Sequence, residues 1–280
     1  MEIKKIEKDS ATLNLLYTTY LGRLVLKILT LPLISWLAGL FMESPLSVVL
    51  IRNFIAKHRI DMKPYVDKNY RSFNDFFTRE LKDEYRLNQY DQKALVAPCD
   101  GLLSVYKLDD KALFKIKNSC YSLEEMLADK EMAARFKGGY CLVFRLCVNH
   151  YHRYAYNEAG HLITKRKIKG ILHTVRPIAC HNQPIYHQNT REYMLLESNR
   201  LGSYIQMEVG AMLVGKIVNY PLESFEPLQQ KGLFCFGGST VVLIYPPDVI
   251  VLNDELLTVD YDSYEVEVRM GEKIGEVRDK

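Results

Sequence analysis

Apolar residues dominate the chain from Leu13 to Ile60 and afterwards recur in short bursts separated by Gly, Pro and Asn. In the first stretch the longest uncharged run is ILTLPLISWLAGLFM, Ile28 to Met42, with Lys27 before it and Glu43 after it. It falls short of the about 20 apolar residues that a bilayer-crossing helix needs, and Pro32 interrupts it. The pattern predicts two or three helices, the first broken near Pro32 and another starting around Pro45, with Lys and Arg at the rim of an apolar face. Such a face packs either on the protein's own core or on a membrane, and Trp36, the only tryptophan, suits an interfacial position.

In SFNDFFTREL, Ser72 followed three residues later by Asp75 makes a capping-box pattern, and Phe73, Phe76, Phe77 and Leu81 share helical spacing. The rings of this short helix either hold it to the core or line the entrance to a site. Ser122 and Glu125 repeat the capping pattern and predict a helix through about Phe136. Elsewhere GLLSVYKL (101–108), ALFKIK (112–117), YCLVFRLCV (140–148), KIKGILHTV (167–175), YMLLES (193–198), SYIQMEVGAMLVGKIVNY (203–220) and FCFGGSTVVLIY (234–245) read as strands. Because strands and helices do not alternate, the expected fold class is α+β, mainly β: an antiparallel barrel or sandwich-like β body with an N-terminal helical section. Residues 1–63 are read as a membrane-associating helical region and 64–280 as the β body, with Asp61 to Arg71 as the joint.

Charge sharpens this picture only at the N-terminus. The net +3 comes from 37 basic and 34 acidic residues, too even for a dedicated nucleic-acid binder. Residues 1–63, however, carry nine Lys or Arg against five acids. Six cysteines at 99, 120, 141, 147, 180 and 235 form no C-x-x-C pair, and no secretory leader is recognisable, so a reduced, cytosolic compartment and no metal site are expected.

Three groupings could carry chemistry. VAPCDG places Asp100 before a strand, where it is either an ordinary turn residue or a fixed carboxylate. NHYHRYAYNEAG sets His150 and His152 two apart, on one face if extended, a spacing open to a strand end or to an acid-base histidine. The four small residues Gly237, Gly238, Ser239 and Thr240 make either a tight turn or a reactive bond, since a serine hydroxyl beside an unhindered carbonyl can attack its own chain.

Taken in order, FNDFFTRELK, APCDG, HYHRY, VGAMLVGKI (209–217) and a phenylalanine-rich strand ending in GGST resemble the phosphatidylserine decarboxylases over roughly residues 70–275. The resemblance implies a proenzyme cut between Gly238 and Ser239, with Ser239 converted to an N-terminal pyruvoyl group that serves as the cofactor, and with both fragments remaining associated. It further implies that the substrate amine forms a Schiff base with that carbonyl, and that phosphatidylserine becomes phosphatidylethanolamine. An electron sink of this kind is needed because no ordinary side chain accepts the electrons that departing carbon dioxide leaves behind. Asp100 matches the family's aspartate in P-x-D-G. Many members carry Y-H-R-x-H, in which the second histidine serves cleavage and the first assists decarboxylation; here the first is His152, whereas the second falls on Ala155. His173 is the leading substitute for the cleavage base, ahead of His152, which is also read as proton donor to the decarboxylated carbon.

These readings place the protein peripherally on the cytoplasmic face of the cell membrane, with an anionic lipid surface as partner, a homodimer as a further option and no nucleic acid. Two alternatives remain: a pyruvoyl-dependent decarboxylase of a free amino acid, and an uncleaved, non-enzymatic lipid-binding relative. Denaturing electrophoresis with mass spectrometry should reveal a fragment spanning 239–280 whose blocked N-terminus is reducible by borohydride. A chain that stays whole after purification would favour the non-enzymatic alternative.

Overall fold

The computed structural model describes residues 1–7, 9–86, 91, 93–116, 119–182, 185–212, 216–220, 222–237 and 239–278. Its centre is a nine-stranded sheet whose strands, in spatial order, are Glu2–Lys5, Tyr264–Val268, Gly101–Lys107, Tyr140–Leu146, Ser239–Tyr245, Gly202–Val209, Arg191–Ser198, Gly160–Ile168 and Ser224–Phe225. Every pairing in it is antiparallel. The sheet stays open, ending at Glu2–Lys5 on one side and Ser224–Phe225 on the other, so the α+β expectation holds and the barrel option is not realised.

Both faces of the sheet are covered. Leu103, Leu142, Phe144, Val241, Leu243 and Tyr245 enter one core, beneath two three-stranded sheets; Cys141, Val143, Ile205, Met207, Val242 and Ile244 enter the other, beneath helices. This accounts for the unbroken VVLIY run: all seven residues of Ser239–Tyr245 are buried, so no polar position interrupts the sequence. One small sheet joins Ile217–Asn219, Gln230–Phe234 and Arg153–Ala155; the other joins Ile250–Leu252, Lys273–Val277 and Ala94–Val96.

The N-terminal section consists of α1 (Ala11–Thr18), α2 (Tyr20–Leu29), α3 (Pro32–Glu43), a 3-10 turn at Pro45–Val48 and α4 (Val49–His58). Thr19 separates α1 from α2: its extended backbone stops the first helix, and its hydroxyl accepts the Gly22 amide at 3.0 Å to cap the second. Gly22 is required there, because a Cβ would lie 2.1 Å from the Leu15 carbonyl oxygen. Pro32 and Pro45 open the next elements, as their sequence positions predict. Among the described residues no single helix is long and apolar enough to cross a membrane; α2 and α3 reach that length only as a pair bent by 61°.

The polarity of α3 and the 3-10 turn is inverted, and α2, which buries Leu26, also turns leucine outward. Ser35 and Ser47 are buried, whereas Leu21 (70 % exposed), Leu33 (60 %), Trp36 (58 %) and Leu46 (74 %) face outward. Ser47 is held inside because its hydroxyl accepts the Phe73 amide at 2.8 Å, linking this section to α5 (Phe73–Phe77).

Several boundaries differ from expectation. The predicted helix from Ser122 to Phe136 is two short ones, Leu123–Leu127 and Lys130–Ala134, because Ala128 turns left-handed at φ 49° and Asp129 caps the second. The 203–220 run is divided between two sheets. The 167–175 strand is replaced by Gly160–Ile168, and His173 sits in the loop beyond it.

Arg145 and Glu265, both buried, form a forked pair between adjacent layers of sequence, with Nε to Oε1 at 2.9 Å. Removing one partner strands the other charge in the interior. Glu265→Ala should therefore lower stability by about 3–5 kcal/mol, measured by thermal or urea unfolding, and a variant as stable as the parent would exclude this pair as a structural clamp.

Candidate active site

The ladder places the sequence candidates at one end of the sheet. Leu102 and Thr240 both pair with Arg145, Leu102 also with Glu267, and Thr240 also with Val209. Asp100 thus lies just before, and Ser239 at the start of, the two strands that flank Tyr140–Leu146, and the loop leaving that middle strand carries His150 and His152.

Ser239 is fully buried, and its hydroxyl has no hydrogen-bond partner among the described residues. A hydroxyl without a partner in a dry interior is costly, which makes it a candidate reactant. The turn leading into it needs glycine, since Gly237 has φ 130°. Gly238, on the other side of the expected scissile bond, lies outside the described residues. Just upstream, the Phe236 amide donates to Asn74 Oδ1 at 2.8 Å, so α5 fixes the approach to the turn. Ser72 caps α5 through the Asp75 amide at 3.1 Å, as the capping-box pattern predicts.

The α5 phenylalanines are core residues and line no entrance. Phe73, Phe76 and Phe77 are buried; Phe73 meets Phe236 edge-on at 4.9 Å and Phe54 at 5.0 Å. Phe77 in turn covers the His152 ring, with centroids 4.1 Å apart.

His152 is fully buried, and its Nδ1 lies 2.9 Å from the His150 carbonyl oxygen. A carbonyl only accepts, so Nδ1 carries the proton and Nε2 presents a lone pair. That Nε2 is buried without a hydrogen-bond partner among the described residues, and the Gly237 backbone lies against the same ring. Burial, reinforced by the charge of Arg79, lowers the ring's pKa to about 3, while the carbonyls of His150 and Gly237 oppose the shift. The imidazole is consequently neutral at physiological pH.

Asp100 is raised above the ordinary carboxylate range by burial, against the Met270 and Tyr151 amides and the charges of Arg269 and Arg79. Its Oδ1 accepts the Met270 amide at 2.9 Å. Tyr151 immediately precedes His152, so the carboxylate anchors the backbone that carries the imidazole. Asp100 and Ala155 share the wall of a cavity of about 710 Å³ with Tyr65, Tyr151, Arg59 and Arg269.

His173 is placed elsewhere. Its Nδ1 lies 3.1 Å from the Tyr17 hydroxyl, its amide donates to Asn189, and its carbonyl accepts the Met212 amide. Tyr17 and Val175 belong to the core on the helical face, whereas Val241, Leu243 and Tyr245, in phase with Ser239, enter the opposite core. No described hydrogen bond joins His173 to Asp100 or Ser239. Among the described residues no group of three His, Cys, Asp or Glu side chains could hold a metal.

The family model described as phosphatidylserine decarboxylase matches residues 73–276. The chain belongs to the phosphatidylserine decarboxylase family. It is a carboxy-lyase of that family by this match and by its similarity to curated relatives. It is 41 % identical over 268 residues to phosphatidylserine decarboxylase proenzyme 2 of Clostridium acetobutylicum, covering 95 % of this chain and 92 % of that one. The phosphatidylserine decarboxylase proenzyme of Ruminiclostridium cellulolyticum is 37 % identical over 275 residues (96 % and 92 %), and that of Clostridium kluyveri 38 % over 267 residues (92 % and 90 %).

For a phosphatidylserine decarboxylase, two contributions are not evident in the sequence motifs: Arg79, and the backbone carbonyl of His150. Arg79 of FFTREL is fully buried and donates through Nη2 to the carbonyl oxygens of Asn149 (3.2 Å) and His150 (3.3 Å). His150 supplies the carbonyl that sets the tautomer of His152, while its own Nδ1 accepts the Cys147 amide at 3.1 Å. An arginine just after an aromatic helix was the available signal. Removing the Nε2 lone pair with His152→Ala should slow formation of the 239–280 fragment by at least about a hundredfold, whereas His173→Ala should leave it near the parent rate. Time-resolved gel analysis of freshly translated chain checks both, and the reverse ranking would reinstate His173.

Proposed function

We propose that this protein is a self-processing decarboxylase that converts phosphatidylserine to phosphatidylethanolamine at a membrane surface. The observation that carries the reading is a pair of buried atoms without partners among the described residues: Ser239 Oγ at the start of the central strand, and Nε2 of His152, whose ring meets the Gly237 backbone. These residues fit a group made from Ser239. The pyruvoyl group would supply the electron sink that decarboxylation requires.

The chain's own contribution begins with proton control. His152, neutral and with Nε2 free to accept, takes the proton from Ser239 Oγ as that oxygen attacks the Gly238 carbonyl carbon. The bond from that carbon to the Ser239 nitrogen breaks, and the nitrogen takes up a proton. The acyl group then rests on Oγ as an ester. Asp100 positions His152 through the Tyr151 amide. His152 passes the Oγ proton to the Ser239 nitrogen and is neutral again, so the proton that reaches the carbon vacated by carbon dioxide is a new one, drawn from solvent and relayed through Nε2. The dry surroundings made by Phe77 and Phe236 favour loss of a carboxylate, whose charge disappears in the step.

The outward-facing leucines and Trp36 of α2 and α3 support a lipid substrate over a free amino acid, which would need no such face. Lys27 and Arg23 lie on the same section and suit anionic headgroups. A peripheral position on the cytoplasmic face of the membrane, with both fragments held together by the sheet, completes the proposal.

Two outcomes test it. Because burial lowers the His152 pKa to about 3, the base is fully available above that value. Fragment formation should hence be almost flat from pH 8 to pH 5, whereas a base of ordinary pKa 6.5 would lose roughly thirtyfold at pH 5; such a loss would rule out a buried, neutral base. Exchanging Leu33 and Leu37 for serine should cut binding to phosphatidylserine-containing vesicles by about tenfold or more, read by co-sedimentation, and unchanged binding would separate the chemistry from this face.

A further inference from the structure

The cavity that adjoins the candidate site through Asp100, and that neither Ser239 nor His152 lines, has more positive charge than its own carboxylates can balance. Four arginines line it: Arg86 is paired with Asp83 at 3.3 Å and Arg153 with Glu80 at 2.9 Å, whereas Arg59 and Arg269 have no ion-pair partner among the described residues. The acids on the wall are Asp61, whose carboxylate caps the Lys63 amide, and Asp100, which accepts backbone amides. A fifth arginine, the third without an ion pair, lies just behind. Arg79 is fully buried, its guanidinium 4.3 Å from the centre of the Tyr65 ring, and Tyr65 forms part of the wall.

Arg79 forms no ion pair within contact distance among the described residues, although its charge reaches Asp100, and its Nε and Nη1 have no hydrogen-bond partner among them. A guanidinium that is always charged is costly to bury without a counter-charge. Its field passes through the thin aromatic wall into the same cavity that Arg59 and Arg269 border directly. A visiting anion would relieve all three.

We propose that Arg59 and Arg269 hold the phosphodiester of a lipid headgroup in this cavity, with Arg79 as a fixed cation behind Tyr65. The ligand's identity rests on the phosphatidylserine reading above; the anion site itself does not. The assignment to the phosphodiester follows from the chemistry. Of the two anions in that headgroup, the carboxylate must be lost, and a cation gripping it would oppose its departure. The phosphodiester persists from substrate to product, so binding it costs nothing at the chemical step. Asp100, on the same wall, repels a carboxylate and accepts the ammonium's side of the headgroup. A volume of about 710 Å³ is within the range of small-ligand sites.

The full-length Ser239→Ala chain, which cannot form the 239–280 fragment, isolates binding from chemistry. Calorimetric titration at low salt with glycerophosphoserine, L-serine and inorganic phosphate as probes should show glycerophosphoserine binding at least about tenfold more tightly than serine. Adding Arg59→Gln or Arg269→Gln should weaken glycerophosphoserine by about tenfold each while leaving serine unaffected. Should a glutamine variant fail to fold, Arg269→Lys, which keeps the charge but loses the fork, should weaken binding by several-fold. Serine binding as tightly as glycerophosphoserine, no binding by the parent, or variants that bind like the parent would overturn the proposal. Inorganic phosphate binding as tightly as glycerophosphoserine would overturn the headgroup assignment. Fragment formation by the wild-type chain, followed separately, reports on the self-processing reading alone.

Discussion

The strand Ser239–Tyr245 is the constraint on which the rest of the molecule depends. It is hydrogen-bonded on both sides, to Tyr140–Leu146 and Gly202–Val209, and buried on both faces. Its first residue is therefore held in register by six successors that cannot move independently. A serine placed there inherits the rigidity of the sheet, while Gly237 at φ 130° allows the chain to turn sharply just before it. Stiffness on the Ser239 side of the bond favours a self-directed attack, because only one partner has to be brought to the other.

Around that point the protein tolerates polar atoms that an ordinary core would not. Ser239 Oγ, Thr240 Oγ1, His152 Nε2 and two nitrogens of Arg79 are all buried without partners. Each is costly alone, and although other buried polar atoms elsewhere also lack partners, these lie among the candidate reactants. The surrounding structure offsets this locally. The aromatic cluster of Phe54, Phe73, Phe77 and Phe236 excludes water, and Asn74 and Ser47 fasten α5 to the chain on either side. Deeper in, the fully buried Glu208 and Lys231 bind one another at 2.7 Å and share Asn219, tying the small sheet to the large one.

How much of this the sequence revealed depended on which atoms make each contact. Strands such as Tyr140–Leu146 were legible because their side chains are buried on both faces. Glu2–Lys5 was not, since EIKK shows no apolar alternation and joins the sheet edge through its backbone. Gly160–Ile168 escaped for a related reason: its Lys and Arg residues face outward, and the reading settled on the more apolar 167–175 instead. Asp100, His152 and Ser239 were found by their motifs, and the ladder brings their three segments to one end of the sheet. His173 was favoured on the strength of a strand that does not extend to it. Arg79 was passed over because its neighbours, three phenylalanines, dominated the pattern, and a buried guanidinium with open valences is visible only in three dimensions.

The position of the central strand also governs whether the molecule can recover from denaturation. A chain severed before Ser239 consists of two polypeptides, of which the shorter contributes the middle of the sheet and the partner strand of Glu2–Lys5. Its unfolding would separate components that were originally made as one, so renaturation would become a second-order encounter governed by molarity. Maturation at this bond would thus convert a reversible fold into a kinetically trapped one, in which lifetime is set by the rate of opening.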